Sequence, residues 1–114
     1  MTDTRTPADI RREWIAALRS GKYRQGKTYL RNRDGSMCCL GVLHHVVTGM
    51  EPGFEVEGVG PPVCSKAGLS DRLGDFDGGC LALINDGGTS FSEIADIIES
   101  NPPGLFVDSK AVAS

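Results

Sequence analysis

Residues 36–49 have the sequence SMCCLGVLHHVVTG, and this stretch predicts the helix around which the fold is built. Its apolar side chains recur at helical spacing, which places them on one face turned toward the core. That face consists of Leu40, Leu43, Val46 and Val47. Gly41 inside a helix costs about 1 kcal/mol relative to alanine, so we expect another backbone to approach there. Gly49 supplies a C-terminal stop, and the expected helix covers about residues 38–48.

The same stretch contains two adjacent cysteines and two adjacent histidines, which raises the question of a reactive or metal-binding site. The available side chains are Cys38, Cys39, His44, His45, Cys64 and Cys80. A structural zinc site needs four such ligands, and the chain has no Cys-x-x-Cys pair. A nucleophilic thiol at a helix start would need a base and a group that orients the base, and no such group is evident. Because free cysteine often packs as a small apolar residue, we favour a packed helix without a catalytic residue, metal or cofactor.

Two further helices are predicted from their start and stop signals. Thr6 is a capping residue followed by Pro7, which suits the first helical position, and an apolar stripe then indicates a helix over about residues 7–20. Ser90 and Glu93 form a capping box before a second apolar stripe, which indicates a helix over about residues 90–100.

Extended structure is expected between the helices. Residues 28–31 have side chains that favour a strand, and the Asp34-Gly35 pair after them is a strong turn signal. Residues 54–59 and the GLFVD segment at 104–108 are weaker strand candidates, and a short helix is expected near residues 64–69.

We therefore expect an α+β fold, in which about three helices pack with a small antiparallel sheet that includes residues 28–31. Residues 1–114 would form a single compact domain, with disordered tails at 1–6 and 109–114.

Charge is distributed unevenly along the chain. Residues 1–36 carry nine Lys or Arg against four acids, a net charge of +5, whereas residues 37–114 carry three against eleven, a net charge of −8. The basic third is either the footprint of an anionic ligand or a partner for the acidic remainder of the same chain. An apolar signal-peptide core and a long apolar run are both missing, which predicts a cytoplasmic protein that does not enter a membrane.

The GKYRQGKTYLR segment at 21–31 is the strongest ligand-binding candidate, because cationic and aromatic side chains alternate there and resemble groups that hold phosphate and stack a base. Asn85 and Asp86 precede a helix N-terminus, where anions bind, although both residue types also favour turns and caps. The predicted ligand-binding set is Lys22, Tyr23, Gln25, Lys27, Arg31, Asn85 and Asp86. Specific DNA binding is not expected, because no basic recognition helix follows the TSFSEIADII segment at 89–98.

Three motifs resemble those of an uncharacterised family of small tailed-phage and prophage proteins. Residues 14–26 match W-x-x-A-L-R-S-G-x-Y-x-Q-G, residues 38–43 match C-C-L-G-V-L, and residues 81–99 resemble L-N-D-x-G-x-S-F-x-E-I-A-x-x-I-E. The chain departs from the family at His44-His45, where members often have Cys-Asp, and at Lys66, where members tend to have tryptophan. The resemblance implies a viral origin in a host-cell cytoplasm and no particular activity.

Three functions follow as expectations. The first is a non-enzymatic anti-defence protein that sequesters an anionic, nucleotide-like ligand, for which a pocket between subunits of a homo-oligomer is one solution. The alternative is an inhibitor that binds a host defence nuclease or CRISPR component through the acidic second half, including Asp71, Asp75 and Asp77. The third is a Cys/His-dependent enzyme.

Overall fold

The computed structural model describes residues 5–107, in which five helices and one short hairpin form a single globule. In chain order these are α1 (Pro7–Arg19), α2 (Cys39–Thr48), α3 (Pro61–Ala67), β1 (Asp75–Phe76), β2 (Gly79–Cys80), α4 (Leu81–Asp86) and α5 (Phe91–Glu99). The three predicted helices correspond to α1, α2 and α5, each to within one residue at both ends. The α+β class is confirmed.

The core is centred on Trp14, which has no exposed surface. Its indole Nε1 donates to the carbonyl oxygen of Cys39 at 2.9 Å, so the ring packs against the first turn of α2 with its polar atom bonded. Helix α1 contacts both α2 and α5, and the apolar stripe of α5 closes the other side of the core.

The helix ends follow the sequence signals. Thr6 and Asp9 form a reciprocal capping box at α1, Ser90 accepts from the backbone of Glu93 at α5, and Gly49 ends α2 with a left-handed φ of 73°. Most of the predicted disordered tails lie outside the described residues. Within them, Thr6 caps α1, and the Arg5 guanidinium donates to two carbonyl oxygens in the last turn of α2.

Gly41 is the point where α2 meets the preceding loop. A Cβ at this position would lie 2.0 Å from the carbonyl oxygen of Leu30. The close backbone approach expected from the sequence is therefore confirmed, and only glycine fits there.

The strand predicted at residues 28–31 is wrong. Thr28 has φ +77°, which an extended strand excludes, and the surrounding loop makes single bridges from Gln25 and Arg31 to Met37. The backbone N–H groups of Thr28, Tyr29 and Leu30 donate to three unrelated acceptors, which are the Asp86 carboxylate and the carbonyl oxygens of Lys27 and Val56. The segment therefore forms no regular ladder of β-sheet hydrogen bonds. Residues 54–59 are likewise a turn and irregular backbone, and the segment at 104–107 contributes only one bridge, between Leu69 and Phe106.

The observed sheet is a hairpin within residues 75–80, where the sequence predicts no strand. β1 pairs antiparallel with β2, in the register Asp75 with Cys80 and Phe76 with Gly79. Gly78 has φ +100° in the connecting turn. The Asp77-Gly78 pair is a hairpin signal of the type recognised at Asp34-Gly35. Within residues 5–107, no helix is long and apolar enough to cross a membrane.

Candidate functional site

Asn85 is a fully buried polar residue at the end of α4. Its Oδ1 accepts from the backbone N–H of Cys39 at 3.2 Å and from Nε2 of Gln25 at 3.0 Å. Its Nδ2 donates to the carbonyl oxygen of Gly26 at 2.7 Å. A buried amide with this many partners joins α4 to the loop at 24–28 and to the start of α2.

Gln25 completes this arrangement from the loop side. Its Nε2 also donates to the carbonyl oxygen of Thr89 at 2.6 Å, and its Oε1 accepts from the backbone N–H of Phe91 at 3.1 Å. We call Gln25 and Asn85 together the amide pair. It connects three stretches that are distant in sequence: residues 25–26, Cys39 and residues 85–91.

The amide pair supplies acceptors at two helix N-termini. Cys38 is the N-cap of α2 and makes no capping bond with its side chain, so Asn85 serves the first-turn amide of Cys39 instead. Gln25 does the same for Phe91, the first residue of α5. Helix starts leave N–H groups without helical partners, and here side chains from elsewhere in the chain accept from them.

Asp86 fixes the loop next to the amide pair. Its Oδ1 accepts from the backbone N–H of Thr28 at 2.7 Å. That bond holds Thr28 in the left-handed conformation that a β-branched residue rarely adopts. Gln25, Asn85 and Asp86 thus lie close together, and their polar atoms bind the protein itself.

The four remaining residues of the predicted set lie in three separate places. Lys22 is exposed, beside Tyr23, whose hydroxyl is 2.7 Å from Nδ1 of His45. Burial raises the pKa of Tyr23. Lys27 is exposed in the loop beside Thr28. Arg31 lies on another surface, paired with Glu51. Lys22 and Tyr23 line a shallow depression of about 310 Å³ that Lys27 and Arg31 do not reach.

Most cations of the basic N-terminal third have acidic partners. Arg19 binds Asp96 at 2.6 Å and Glu99 at 3.0 Å, which connects the ends of α1 and α5. Two more pairs, Arg31 with Glu51 and Arg33 with Glu55, also cross between the basic and acidic parts of the chain. The sequence offered two explanations of the basic N-terminal third, an anionic ligand or the acidic remainder of the chain. These ion pairs show that the basic and acidic parts of the chain do contact each other in the fold.

The cysteines are packed side chains. Burial raises the pKa of Cys38 and raises that of the fully buried Cys39 well above its ordinary value, so both thiols stay protonated at neutral pH. Burial is also the main cause of the raised pKa values of Cys64 and Cys80. In the described part of the chain, His, Cys, Asp and Glu side chains form no group able to hold a metal ion.

The acidic second half forms a groove beside the hairpin. Two adjoining depressions of about 450 and 350 Å³ share Ser70 and Asp71. We call them the Asp71 groove. Its charged lining residues are Asp71, Arg72 and Asp75, and its other lining residues include Ser70, Phe76, Gly104 and Val107. The Ser70 hydroxyl is buried there and has no hydrogen-bond partner among the described residues. Sequence reasoning had marked Asp71 and Asp75 only through the acidic charge of this region.

These features define a small α+β domain with an internal polar centre and an acidic surface groove. Residues 7–59 match the model of a family described as a domain of unknown function, DUF8296. That range includes α1, Gln25 and α2, and it stops before Asn85 and the Asp71 groove. No curated protein and no solved structure matches the chain.

Proposed function

We propose that this protein is a small non-enzymatic accessory protein of the phage type, which binds a host protein through the Asp71 groove. The observation that supports this most is the distribution of unpaired charge. Asp71, Asp75 and the neighbouring Asp77 make no ion pair with any residue from 5 to 107, while most cations of the N-terminal third are already paired. The three carboxylates are therefore not neutralised by an ion pair among residues 5–107. Arg72, which also lines the groove, donates instead to the backbone carbonyl oxygens of Val59 and Glu57.

The chemistry of the groove favours a basic partner. Carboxylates at Asp71 and Asp75 attract Lys or Arg, and the apolar walls at Phe76 and Val107 suit the alkyl stems of those side chains. Val107 is 56% exposed, so one wall is open to a partner. Protein surfaces that bind nucleic acid are basic. A host defence nuclease or a CRISPR component is accordingly the expected class of partner.

The protonated thiols support a role in binding rather than catalysis. A cysteine nucleophile requires a thiolate, and burial acts against the thiolate at all four cysteines. The imidazole nitrogen Nδ1 of His45 is bonded to Tyr23.

Binding of an anionic ligand is a second candidate with narrower support. Gln25, Asn85 and Asp86 have internal partners, and Arg31 is paired, but Lys22 and Lys27 are exposed and have no ion pair with the described residues. Calorimetry against cyclic and ADP-ribose-type nucleotides tests this candidate. Heat that disappears in the Lys22→Ala, Lys27→Ala double variant would support it, and no heat at micromolar protein would reject it.

The main proposal is tested with a triple variant, Asp71→Asn, Asp75→Asn and Asp77→Asn. The matched control is Glu13→Gln, Glu93→Gln and Asp96→Asn, which changes the net charge by the same amount on α1 and α5. The two ion pairs that it removes, Arg5–Glu13 and Arg19–Asp96, are on the surface and contribute little to stability. Immobilised wild type and control should retain the same basic protein from host lysate, and added salt should release it because exposed charges are screened. The triple variant should not retain that protein.

Two results would overturn the proposal. One is equal retention by the Asp71 triple variant and the wild type. The other is a loss of retention by the control that matches the loss by the triple variant, because net charge alone would then explain the binding. Thermal unfolding of all three proteins establishes that each is folded.

A further inference from the structure

Exposed apolar side chains are concentrated in one loop. Six large apolar side chains are exposed among the described residues, and three of them lie within residues 50–56. These are Met50 at 69%, Phe54 at 44% and Val56 at 41% exposure. Clustered exposed apolar groups mark interaction surfaces, whereas single ones are ordinary.

Two guanidinium groups lie against Phe54. The Cζ atom of Arg31 is 4.1 Å from the centroid of the ring, and that of Arg33 is 5.5 Å from it. Arginine and aromatic side chains are the types most enriched at the energetic centres of protein interfaces. We call this surface the Phe54 patch, formed by Arg31, Arg33, Met50, Glu51, Phe54, Glu55 and Val56.

The Phe54 patch is anchored by its backbone. The N–H of Glu55 donates to the carbonyl oxygen of Arg31 at 3.1 Å, and the N–H of Leu30 donates to that of Val56 at 2.7 Å. The exposed side chains therefore sit on a fixed backbone, which lowers the entropy cost of binding.

We propose that the Phe54 patch binds the same patch of a second copy of this chain. This goes beyond the proposed function and uses a surface that shares no residue with the Asp71 groove. Its charges are balanced, because Arg31 pairs with Glu51 and Arg33 pairs with Glu55 at 3.0 Å. A partner with a strong net charge of either sign would gain from half of these groups and be repelled by the other half.

A second copy is the partner that this balance fits. Two-fold contacts are self-complementary, so Arg33 of one copy can bind Glu55 of the other while the Phe54 rings bury each other. The whole chain carries a net charge of −3. Two copies repel each other weakly overall and meet most favourably where positive and negative groups are equal in number.

Sedimentation equilibrium from low micromolar to submillimolar protein should detect a reversible dimer. Phe54→Ser should raise the dissociation constant about tenfold or more, as expected for truncation of a central aromatic. Leu83→Ser is the matched control, because Leu83 is 72% exposed on α4 outside the patch. It should leave the dissociation constant unchanged.

A charge exchange tests whether the patch meets itself. Arg33→Glu and Glu55→Arg should each weaken the dimer when studied alone, since each creates like charges across the two-fold axis. An equimolar mixture of the two variants should form a dimer as tight as the wild type. A monomeric wild type, a dimer unaffected by Phe54→Ser, or a mixture that does not recover dimerisation would each overturn the proposal.

Discussion

The side-chain amide of Gln25 donates to Oδ1 of Asn85 over 3.0 Å, although the two residues are 60 positions apart. Around this bond, the backbone N–H groups of Cys39 and Phe91 find their acceptors. The three motifs that resemble the phage family contain these four residues. Because the four residues meet in space, each motif has a structural role. Together they provide hydrogen-bond partners for buried backbone N–H groups at the starts of α2 and α5.

Replacing Gly41 with alanine should destabilise the fold by about 2 kcal/mol or more, because the added Cβ would overlap the backbone of Leu30. Urea unfolding, followed by the fluorescence of buried Trp14, measures the change. In a helix without such a contact the same replacement stabilises by about 1 kcal/mol. A stabilising result for Gly41→Ala would therefore contradict the observed approach.

Thr28 provides a test of backbone strain. Asparagine tolerates a left-handed φ better than threonine, so Thr28→Asn should stabilise the protein by about 0.5–1 kcal/mol in the same unfolding assay. Thr28→Val is the control, because valine keeps the β-branch and should change stability by less than about 0.5 kcal/mol. Equal stability of the Asn and Val variants would argue against strain at this position.

The long helices could be predicted because their determinants are local. Caps, stop signals and apolar periodicity lie within about a dozen residues of each helix, and even the close approach at Gly41 was indicated by a glycine at a helical position. Residues 28–31 could not be assigned correctly, since the local preference for a strand is overridden by the bond from Thr28 to Asp86, 58 positions away.

The sequence identifies the polar residues of the candidate site, but it does not show what those residues bind. The sequence predicts that Gln25, Asn85 and Asp86 contact a ligand, and in the structure their polar atoms bind the protein. Whether such groups face a ligand or the protein depends on backbone atoms of other segments, here Cys39, Gly26 and Thr28. Sequence spacing contains no information about those distances.

Thiol reactivity tests whether Cys38 and Cys39 are packed in the core or act as an accessible nucleophile. In native protein, iodoacetamide should modify Cys64 first, because it is partly exposed whereas the other three cysteines are buried. Cys38 and Cys39 should react only when the protein unfolds, because burial raises the pKa of both thiols. Mass spectrometry of the modified peptides identifies the sites. Rapid native modification of Cys39 would revive the cysteine-enzyme hypothesis.

Acid should weaken the fold through carboxylates that are bonded in the native state. Hydrogen bonds from Thr6 lower the pKa of Asp9 below 3.8, and the hydrogen bond from Arg19 lowers that of Glu99 below 4.5. The folded protein then holds fewer protons than the unfolded chain in this range, so stability is complete above these values and falls as the pH drops through them. The urea midpoint should decline below pH 4.5, and less steeply in Asp9→Asn. A urea midpoint that rises as the pH is lowered would contradict this prediction.

A double-mutant cycle on Gln25 and Asn85 tests most directly whether these residues hold the fold together. Each replacement by alanine should lower the free energy of unfolding by about 1–3 kcal/mol, because it leaves buried backbone groups without partners. The coupling energy between the two should be about 0.5–3 kcal/mol. Losses below about 0.5 kcal/mol, as for ordinary surface residues, together with no coupling, would show that the pair does not organise the fold.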